Sequence, residues 1–343
     1  MTPAKVSEGV QTRVLAFASA LPEWRVTNDH LSTLMDTSDS WIQQRTGIQA
    51  RHWVKAPETT SDLAVSACRA SLGQLNGKSV DAIVAATLSP DFTFPGIGVL
   101  IQRKLGLPEI PAYDVRNQCA GFLYALEMAD ALVARGRYRR VLVVGAEVHS
   151  TGLDLTTRGR DLAVLFGDGA GSCVVEAISE PGSGEALEVL GTELHADGTH
   201  VEELWCQLPG SAHFPRVDAA MIERGAVYPS MNGKRVFEHA VRRMGEVSVA
   251  LLGRLGFTAR DVALLVPHQA NLRINTMVAE QLGVPAEKVF NTIQQYGNTT
   301  AATIPIGLHD AYRAGRITPG DIVLSAAFGS GFVWGAAVLR AVG

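Results

Sequence analysis

The sequence of 343 residues has little charge, few aromatic side chains and no long apolar run. Charged residues make up 19% of the chain and the formal net charge is −4, so no concentrated positive surface predicts binding to nucleic acid or to anionic lipid. No uninterrupted apolar stretch approaches the ~20 residues of a membrane-spanning helix, and we interpret the apolar run at 14–22 as a buried strand. We therefore expect a soluble protein with no membrane segment.

Cysteine is also scarce, because the chain has only four such residues and they lie far apart in the sequence. Cys68, Cys119, Cys173 and Cys206 form no CxxC pair and no His/Cys cluster at the spacing of zinc ligands. Scattered, unpaired cysteines of this kind are typical of proteins that work in a reducing compartment. We accordingly expect a cytoplasmic protein without a disulfide framework and without a structural metal.

What the sequence does contain is 47% hydrophobic residues and 34 glycines, which indicates a compact protein with many tight turns. Short β-branched runs alternate with longer helical patterns, and this alternation is typical of parallel sheets covered by helices. The predicted fold class is therefore α/β. The predicted strands cover residues 82–87, 141–145, 172–175, 262–266 and 322–326.

An internal repeat divides the chain. A helix followed by a strand at 80–91 recurs at 261–272, and a strand, loop, helix, basic turn and strand at 113–147 recur at 290–328. We predict two pseudo-symmetric halves, residues 1–180 and 181–343, packed as one body. Such symmetry places the loop of Cys119 opposite the loop of Asn298. The less periodic segment 192–230 is predicted to be a long excursion over the site.

Cys119 is the candidate nucleophile. It directly precedes an apolar helix predicted over 120–134, and the unpaired N–H groups and dipole of a helix amino end favour a thiolate and lower a cysteine pKa. The alternative interpretation is a small buried hydrophobic residue. The sequence around Cys119 alone leaves both interpretations open.

His268 and Asn298 follow predicted strands on two other loops. His268 comes directly after a buried strand in VPHQAN (266–271), and Asn298 follows Gly297 in YGNTTAA (296–302). Singly, the histidine is more often structural and the asparagine is a favoured helix N-cap. Three polar groups on loops related by the repeat predict a Cys/His/Asn catalytic site at the carboxyl ends of the strands.

Several ordered motifs then resemble one family, the β-ketoacyl-acyl carrier protein synthase III family of the thiolase superfamily. The matching stretches are TSDSWIQQRTGI (37–48), DVRNQCAGF (114–122), FGDGAG (166–171), HADG (195–198), VPHQANLRI (266–274), YGNTTAA (296–302) and AFGSGFVWG (327–335). The resemblance covers nearly the whole chain. It implies a thiolase-like fold of two βαβαβ-type halves in an αβαβα layered arrangement.

The resemblance implies a condensing enzyme in fatty-acid initiation or in specialised lipid or polyketide biosynthesis. An acyl group from acyl-CoA is transferred to Cys119, and a malonyl thioester, on acyl carrier protein or coenzyme A, then undergoes decarboxylative Claisen condensation. His268 Nε2–H and Asn298 Nδ2–H suit the role of donors to the thioester oxygen. Backbone N–H groups at Cys119 and around Ser330 are implied as the second oxyanion site. Acyl-CoA is a substrate, and no permanently bound cofactor or metal is implied.

Matching to the same family also implies contacts with coenzyme A. Trp41 and Arg158 are expected to sandwich the adenine, with Arg45 near the phosphates. Asn271 is expected to line the pantetheine tunnel. Phe94 resembles the residue that enters the partner subunit's acyl pocket, so the resemblance implies a homodimer.

The chain departs from the family at two places. Arg116, Asn117 and Gln118 precede the cysteine where small residues are usual, which predicts an altered primer pocket. Glu238, Glu280 and Gln281 stand where members that dock carrier protein tend to have lysine, which disfavours an acidic carrier. Arg273 keeps its expected charge. Three further arginines on a predicted helix are candidates to compensate: Arg235, Arg242 and Arg243.

Other functions remain open at this point. A degradative thiolase needs a second cysteine near 328–331, where the sequence has none. An acyltransferase that delivers the Cys119 acyl group to an alcohol or amine is not distinguished by the sequence. A non-catalytic partner subunit usually lacks the nucleophile, which is present here. We interpret FGDGAG as a structural turn, because it lacks the lysine and spacing of a phosphate-binding loop.

Overall fold

The structure, a computed structural model, describes residues 10–178 and 185–342. The strands are β1 (Thr12–Ala20), β2 (Trp24–Thr27), β3 (Ala50–Trp53), β4 (Ala82–Ala86), β5 (Ala112–Val115), β6 (Arg140–Glu147), β7 (Gly169–Ala177), β8 (Ala186–Ala196), β9 (Leu204–Trp205), β10 (Ser230–Met231), β11 (Val262–Leu265), β12 (Ile322–Gly329) and β13 (Val333–Val342). The helices are α1 (Asn28–Ser32), α2 (Asp39–Thr46), α3 (Thr60–Gly73), α4 (Ile97–Leu105), α5 (Gly121–Ala134), α6 (Arg160–Ala163), α7 (Ala219–Glu223), α8 (Gly233–Arg254), α9 (Leu272–Leu282), α10 (Ile293–Tyr296) and α11 (Thr303–Arg313).

The main sheet repeats one strand order in two halves. In the first half the order is β1-β7-β6-β4-β5, and in the second it is β8-β13-β12-β11. A parallel bridge from Leu265 to Val289 occupies the position that β5 has in the first half. In both halves the outer pairs are parallel, whereas the pairs that involve β7 or β13 are antiparallel. The predicted α/β class is therefore confirmed, although each half is a mixed sheet and not the parallel sheet that the alternation indicated.

The two halves of the sheet are joined through β1 and β8. These strands pair antiparallel over only three residue pairs, from Arg13 with Glu188 to Leu15 with Ala186. The predicted boundary between residues 180 and 181 lies outside the described residues and stays a prediction. The predicted strands of the first half fall within β4, β6 and β7, and those of the second half coincide closely with β11 and β12.

Helices cover both faces of each half-sheet. Alternate residues of a strand point to opposite faces, so Val84 packs against the central layer, whereas Ile83 and Ala85 pack outward with α3 and α4. The central layer consists of α5 and α11, whose apolar side chains contact both halves. Helices α8 and α9 cover the outer face of the second half. This arrangement confirms the predicted αβαβα order of layers.

The segment 192–230 was predicted to be a long excursion over the site, but its first part belongs to the sheet. Residues up to Ala196 are in β8, where Glu193 and Leu194 pair with β13. The remainder contains a 3₁₀ turn (Gly198–Glu203) and the short elements β9, α7 and β10, and it contributes Leu204 and Tyr228 to the wall of a cavity described below. Among the described residues, no helix is long and apolar enough to cross a membrane.

Glycine permits the closest contact in the central layer. A Cβ atom at Gly145, in β6, would lie 2.3 Å from the main-chain oxygen of Ala301, at the turn that precedes α11. Real Cβ atoms do not approach carbonyl oxygens so closely, so any larger residue would push the turn away from β6. Gly253, near the end of α8, has no atom within 4 Å of the equivalent position.

We expect Gly145→Ala to lower the free energy of unfolding by about 1–3 kcal/mol, because it overpacks a main-chain contact in the core. Gly253→Ala is the matched control, and it should raise that free energy by about 0.5–1 kcal/mol through better helix propensity. Urea unfolding monitored by circular dichroism measures both. Equal stability of Gly145→Ala and the original chain would contradict the close contact.

Candidate active site

One large cavity brings the three predicted catalytic residues together. It has a volume of about 990 Å³ and lies where the loops of the two halves meet. Cys119, His268 and Asn298 all line it, together with Phe328 and Gly329. The loops of Cys119 and Asn298 therefore meet in the structure, as the internal repeat predicted.

Cys119 lies in a 3₁₀ turn, Gln118–Ala120, directly before α5. Its residue is only 9% exposed, and a Cβ atom at Gly329 would lie 2.9 Å from the Cys119 Cβ. Burial, assisted by the negative charge of Glu147, raises the pKa of the Cys119 thiol to about 12. The expectation that the helix end lowers this pKa was wrong, because desolvation of the thiolate is the larger effect. Without substrate the thiol is protonated.

Glu147, at the end of β6, is a buried carboxyl that the sequence analysis missed. The hydroxyl groups of Thr87 and Ser89 donate to it at 3.1 and 2.5 Å, and the Leu88 main-chain N–H donates at 3.2 Å. Burial raises the pKa of Glu147 to about 7. Its charge near Cys119 therefore changes within the neutral pH range.

His268 is held as a neutral imidazole between β11 and α9. Its main-chain N–H donates to the Ala326 oxygen at 2.8 Å, which extends the alignment of β11 with β12. Its Nδ1 lies 2.8 Å from Thr303 Oγ1, whereas its Nε2 is buried without a protein partner. Burial lowers the pKa of His268 to about 3, so the ring is uncharged at neutral pH.

Asn298 has its amide group oriented by the main chain. The Thr300 N–H donates to Asn298 Oδ1 at 2.9 Å, which leaves Nδ2 as the amide atom available to the cavity. The main chain of Asn298 donates to Leu165 O at 2.8 Å, just before the FGDGAG segment, and accepts from Gly167 N at 3.1 Å within it. The segment therefore has a structural role, as predicted, but only its first part is a loop, because Gly169 begins β7.

Thr300 has an unusual backbone conformation for a β-branched residue, with φ of 49°. Its hydroxyl lies 2.5 Å from Nε2 of His149, a buried histidine that stacks near Phe166 at 4.5 Å between ring centroids. Left-handed backbone at Thr300 turns its N–H toward Asn298, so the strained residue supports the orientation of the amide. No motif in the sequence pointed to His149.

The mouth of the cavity carries the residues expected to contact coenzyme A. Trp41, Arg45, Arg158 and Asn271 all line it. The guanidinium carbons of Arg45 and Arg160 lie 4.2 and 5.1 Å from the Trp41 ring centroid. Arg160 was not among the predicted contacts.

Arg158 and Asn271 have other partners in this structure. Arg158 Nε donates to Asp154 at 2.6 Å, and its guanidinium carbon lies 5.7 Å from the Tyr228 ring centroid. Asn271 caps α9 by accepting from Arg273 N at 2.9 Å and donates to Arg45 O at 3.0 Å. The sandwich of adenine between Trp41 and Arg158 therefore stays a prediction.

Ser330 lies in the loop next to Cys119, whereas Phe94 lies outside the cavity of its own chain. The Ser330 hydroxyl donates to Leu204 O, so the side chain is turned toward β9 and its main chain remains beside Gly329 and Cys119. Phe94 is 81% exposed in the loop between β4 and α4 and does not line the cavity of its own chain. Its predicted role in a partner's acyl pocket stays a prediction.

The predicted docking residues occupy α8 and α9. Arg235 lies 3.6 Å from Glu203 and 3.8 Å from Glu238, and Arg243 lies 3.3 Å from Asp197. Arg242 lies beside His239, and Arg273 lies over the Phe237 ring. Two of the candidate arginines therefore have acidic partners, which weakens the compensation expected of them. Glu280 and Gln281 are exposed.

Glu238 belongs to the cavity as well as to this surface. It lines the cavity, as do its neighbours Lys234 and Phe237. The reason is that the first turns of α8 form part of the cavity mouth.

Among the described residues, no group of three or more His, Cys, Asp or Glu side chains is arranged to hold a metal ion.

Comparison with known proteins gives one consistent family. Residues 113–198 match the model of 3-oxoacyl-[acyl-carrier-protein (ACP)] synthase III, and residues 252–341 match the model of its C-terminal part. The β-ketoacyl-[acyl-carrier-protein] synthase III of Rhodospirillum rubrum is 44% identical over 94% of this chain and 97% of that protein. The synthase III of Rhodobacter capsulatus is 42% identical over 93% and 96%.

Solved structures agree with the sequence matches. The 3-oxoacyl-[acyl-carrier-protein] synthase III of Aquifex aeolicus is 38% identical and superposes with a TM-score of 0.86 over 96% of this chain and 99% of that one. A priming β-ketosynthase of a polyketide biosynthetic pathway is 32% identical, with a TM-score of 0.88 over 98% of both chains. The chain belongs to the β-ketoacyl-acyl carrier protein synthase III family of thiolase-fold condensing enzymes.

Proposed function

We propose that the chain transfers an acyl group from acyl-CoA to Cys119 and then condenses it with a malonyl thioester, using His268 and Asn298. The observation that carries this proposal is that the three side chains, from both halves, line one cavity. The nucleophile is on the first half and the two hydrogen-bonding groups are on the second. This arrangement suits a reaction in two steps, in which the sulfur atom of Cys119 is first acylated and then gives up its acyl group.

In the first half-reaction, Cys119 Sγ attacks the acyl thioester and the bond to the coenzyme A sulfur breaks. The thiol proton leaves Cys119 and the departing coenzyme A sulfur takes up a proton, so the step is neutral overall. Main-chain N–H groups at Cys119 and in the 329–331 loop are the proposed donors to the oxyanion. The side chain of Ser330, which bonds to Leu204 O, supports this loop without supplying the donor.

In the second half-reaction, malonyl thioester loses carbon dioxide and the electrons of the broken C–C bond move toward the thioester oxygen. The carbanion attacks the acyl group on Cys119, and Sγ leaves as a thiolate that takes a proton from solvent. Negative charge on the thioester oxygen requires donors in a water-poor site. Asn298 Nδ2 and His268 Nε2 are suited to this, because both residues are buried and face the cavity.

Coenzyme A recognition is proposed for the cavity mouth. An aromatic ring and guanidinium groups, from Trp41, Arg45 and Arg158, suit an adenine ring and anionic phosphates. Asn271 borders the path to the thiol. We further propose a homodimer in which Phe94 enters the acyl pocket of a second chain, because the resemblance to the family implies this contact and the side chain, 81% exposed, is accessible to a second chain.

Acylation is tested by intact-mass analysis after incubation with a panel of acyl-CoAs. We expect one acyl group on the original chain and none on Cys119→Ala, because the other cysteines do not line the cavity. Cys206, which is exposed, is the internal control for nonspecific acylation. Acylation of Cys68, Cys173 or Cys206 in place of Cys119 would refute the assignment.

The acylation rate also has an expected pH dependence. Because the pKa of Cys119 is raised to about 12, the thiolate fraction and the rate should rise from pH 6 to 9. Glu147→Gln removes a neighbouring negative charge, so it lowers this pKa and should speed acylation above pH 7, where Glu147 is ionised. Below about pH 6 the two proteins should react alike. An equal effect at every pH would show that the charge of Glu147 is not responsible.

Condensation is tested separately with malonyl thioester. Loss of one oxyanion-type donor typically costs about 10²–10³ in rate, so His268→Ala and Asn298→Ala should still acylate Cys119 but form little condensed product. His309→Ala, a partly buried histidine of α11 outside the cavity, is the control. Wild-type condensation rates in both variants would exclude the proposed mechanism.

Transfer of the Cys119 acyl group to an added alcohol or amine would instead favour the alternative function, an acyltransferase that uses such acceptors.

The structure also bears on whether the malonyl group is carried by coenzyme A or by a carrier protein. Glu280 and Gln281 replace expected lysines on α9, and Arg235 and Arg243 lie near carboxylates. An acidic carrier helix would therefore find less unpaired positive charge on this surface than lysines at positions 280 and 281 would supply. We propose that malonyl-CoA, or a dedicated carrier of lower acidity, is used at least as well as the fatty-acid carrier.

Glu280→Lys tests this docking proposal, because Glu280 is exposed and does not line the cavity. The rate with malonyl-carrier protein should rise about two- to fivefold at low salt and lose this gain near 1 M salt. The rate with malonyl-CoA should not change. Glu23→Lys, with the same change of charge in the first half, is the control. Selective use of the fatty-acid carrier by the original chain, unaffected by Glu280→Lys, would restore the fatty-acid initiation role.

A further inference from the structure

Thr303 lies within hydrogen-bonding distance of the imidazole ring of His268. It is the first residue of α11 and is 2% exposed. Its Oγ1 lies 2.8 Å from His268 Nδ1 and 2.9 Å from the main-chain oxygen of Thr300. The hydroxyl therefore lies within hydrogen-bonding distance of two groups.

A threonine hydroxyl has one proton, so these two contacts allow only two arrangements. If the hydroxyl donates to Thr300 O, His268 Nδ1 must carry a proton and donate to Oγ1, and a neutral ring then has a bare Nε2. If the hydroxyl donates to Nδ1, the proton of the neutral ring is on Nε2. The orientation of one hydroxyl is thus coupled to whether His268 Nε2 carries a proton and can donate.

The second arrangement leaves no main-chain group unpaired. Thr300 O already accepts the Thr303 N–H, so the hydroxyl can turn away without leaving a buried carbonyl unsatisfied. The ring stays neutral, since burial lowers the pKa of His268 to about 3 and the amino end of α11 also disfavours a cation. Tautomerism, and not charge, is therefore the property of His268 that Thr303 can change.

We propose that Thr303 is a positioning residue that keeps the proton of His268 on Nε2 during decarboxylation by donating its own hydroxyl proton to Nδ1. This rests on the proposed condensing function. A bare Nε2 would repel the thioester oxygen as its negative charge develops, whereas Nε2–H donates to it. The proton stays on Nε2 throughout, while the electrons of the broken C–C bond pass to the thioester oxygen and then into the new C–C bond.

The acylation half-reaction should not depend on Thr303, because it does not use the donor at Nε2. Thr303→Val keeps the shape of the side chain and removes the hydroxyl. We expect the condensation rate to fall about 10–100-fold, as for other groups that orient a histidine, and acylation to change less than about twofold. The KM for malonyl thioester should change little, because the donor acts on charge that develops after binding.

Conservative and control variants separate this role from a structural one. Thr303→Ser retains the hydroxyl and should restore most of the condensation rate. Thr60→Val is the matched control, because Thr60 is also a buried first residue of a helix whose hydroxyl donates to a carbonyl, that of Ser89 at 2.5 Å. If Thr303→Val fails to fold, Thr303→Ala removes the hydroxyl without a new methyl group.

NMR of nitrogen-labelled histidine reports the tautomer directly. Among the nine histidines, the signal of His268 is identified by its absence in His268→Gln. We expect Nε2–H to predominate in Thr303→Ser with bound substrate analogue and to decline in Thr303→Val. Unchanged tautomers and condensation rates in the valine or alanine variant would refute the role of Thr303. If the original chain fails to acylate at Cys119, the proposed function fails, and the tautomer measurement still reports on Thr303.

Discussion

The close contact between the turn before α11 and the strand β6 determines the geometry of the site. The main-chain oxygen of Ala301 lies so near Gly145 that no side chain fits between them, and a Cβ at Gly121 would lie 3.5 Å from the Ala301 Cβ. Glycine at position 145 lets this turn pack against β6, and the amino end of α5 meets the turn there in ordinary van der Waals contact. Cys119 directly precedes one of these helices, and Asn298 lies just before the other. The catalytic groups therefore come together because the central helices do.

Burial then controls the charge of each group in the cavity. It raises the pKa of the Cys119 thiol to about 12, raises that of Glu147 to about 7 and lowers that of His268 to about 3. The thiol and the imidazole are neutral in the resting protein, so the inner site acts mainly through hydrogen bonds. Charge is concentrated at the mouth, where Arg45 and Arg160 lie over Trp41. The proposed binding of anionic phosphates therefore lies at the open mouth of the cavity, whereas the proposed thioester chemistry lies at its buried inner end.

The sequence predicted the features that depend on local pattern. Strand ends followed by Cys119, His268 and Asn298 indicated one site, because the carboxyl ends of parallel strands meet at one edge of a sheet. It did not predict Glu147, His149 or Thr303, since their roles depend on contacts with residues far along the chain. Local reasoning also gave the wrong direction for the pKa of Cys119. The helix end is visible in the sequence, whereas the depth of burial is a property of the packed layers.

The division of the site between two halves has a consequence for specificity. Cys119 and the preceding Arg116 to Gln118 belong to the first half, as does the loop of Phe94, so the groups expected to select the primer are independent of the donors in the second half. The donors depend instead on the hydrogen bonds of Thr300 and Thr303 at the start of α11. Changes before Cys119 can therefore alter which acyl group is accepted while the groups for decarboxylation stay in place. The same fold occurs in a synthase III enzyme and in a polyketide priming ketosynthase, so the fold itself does not determine which acyl group is used.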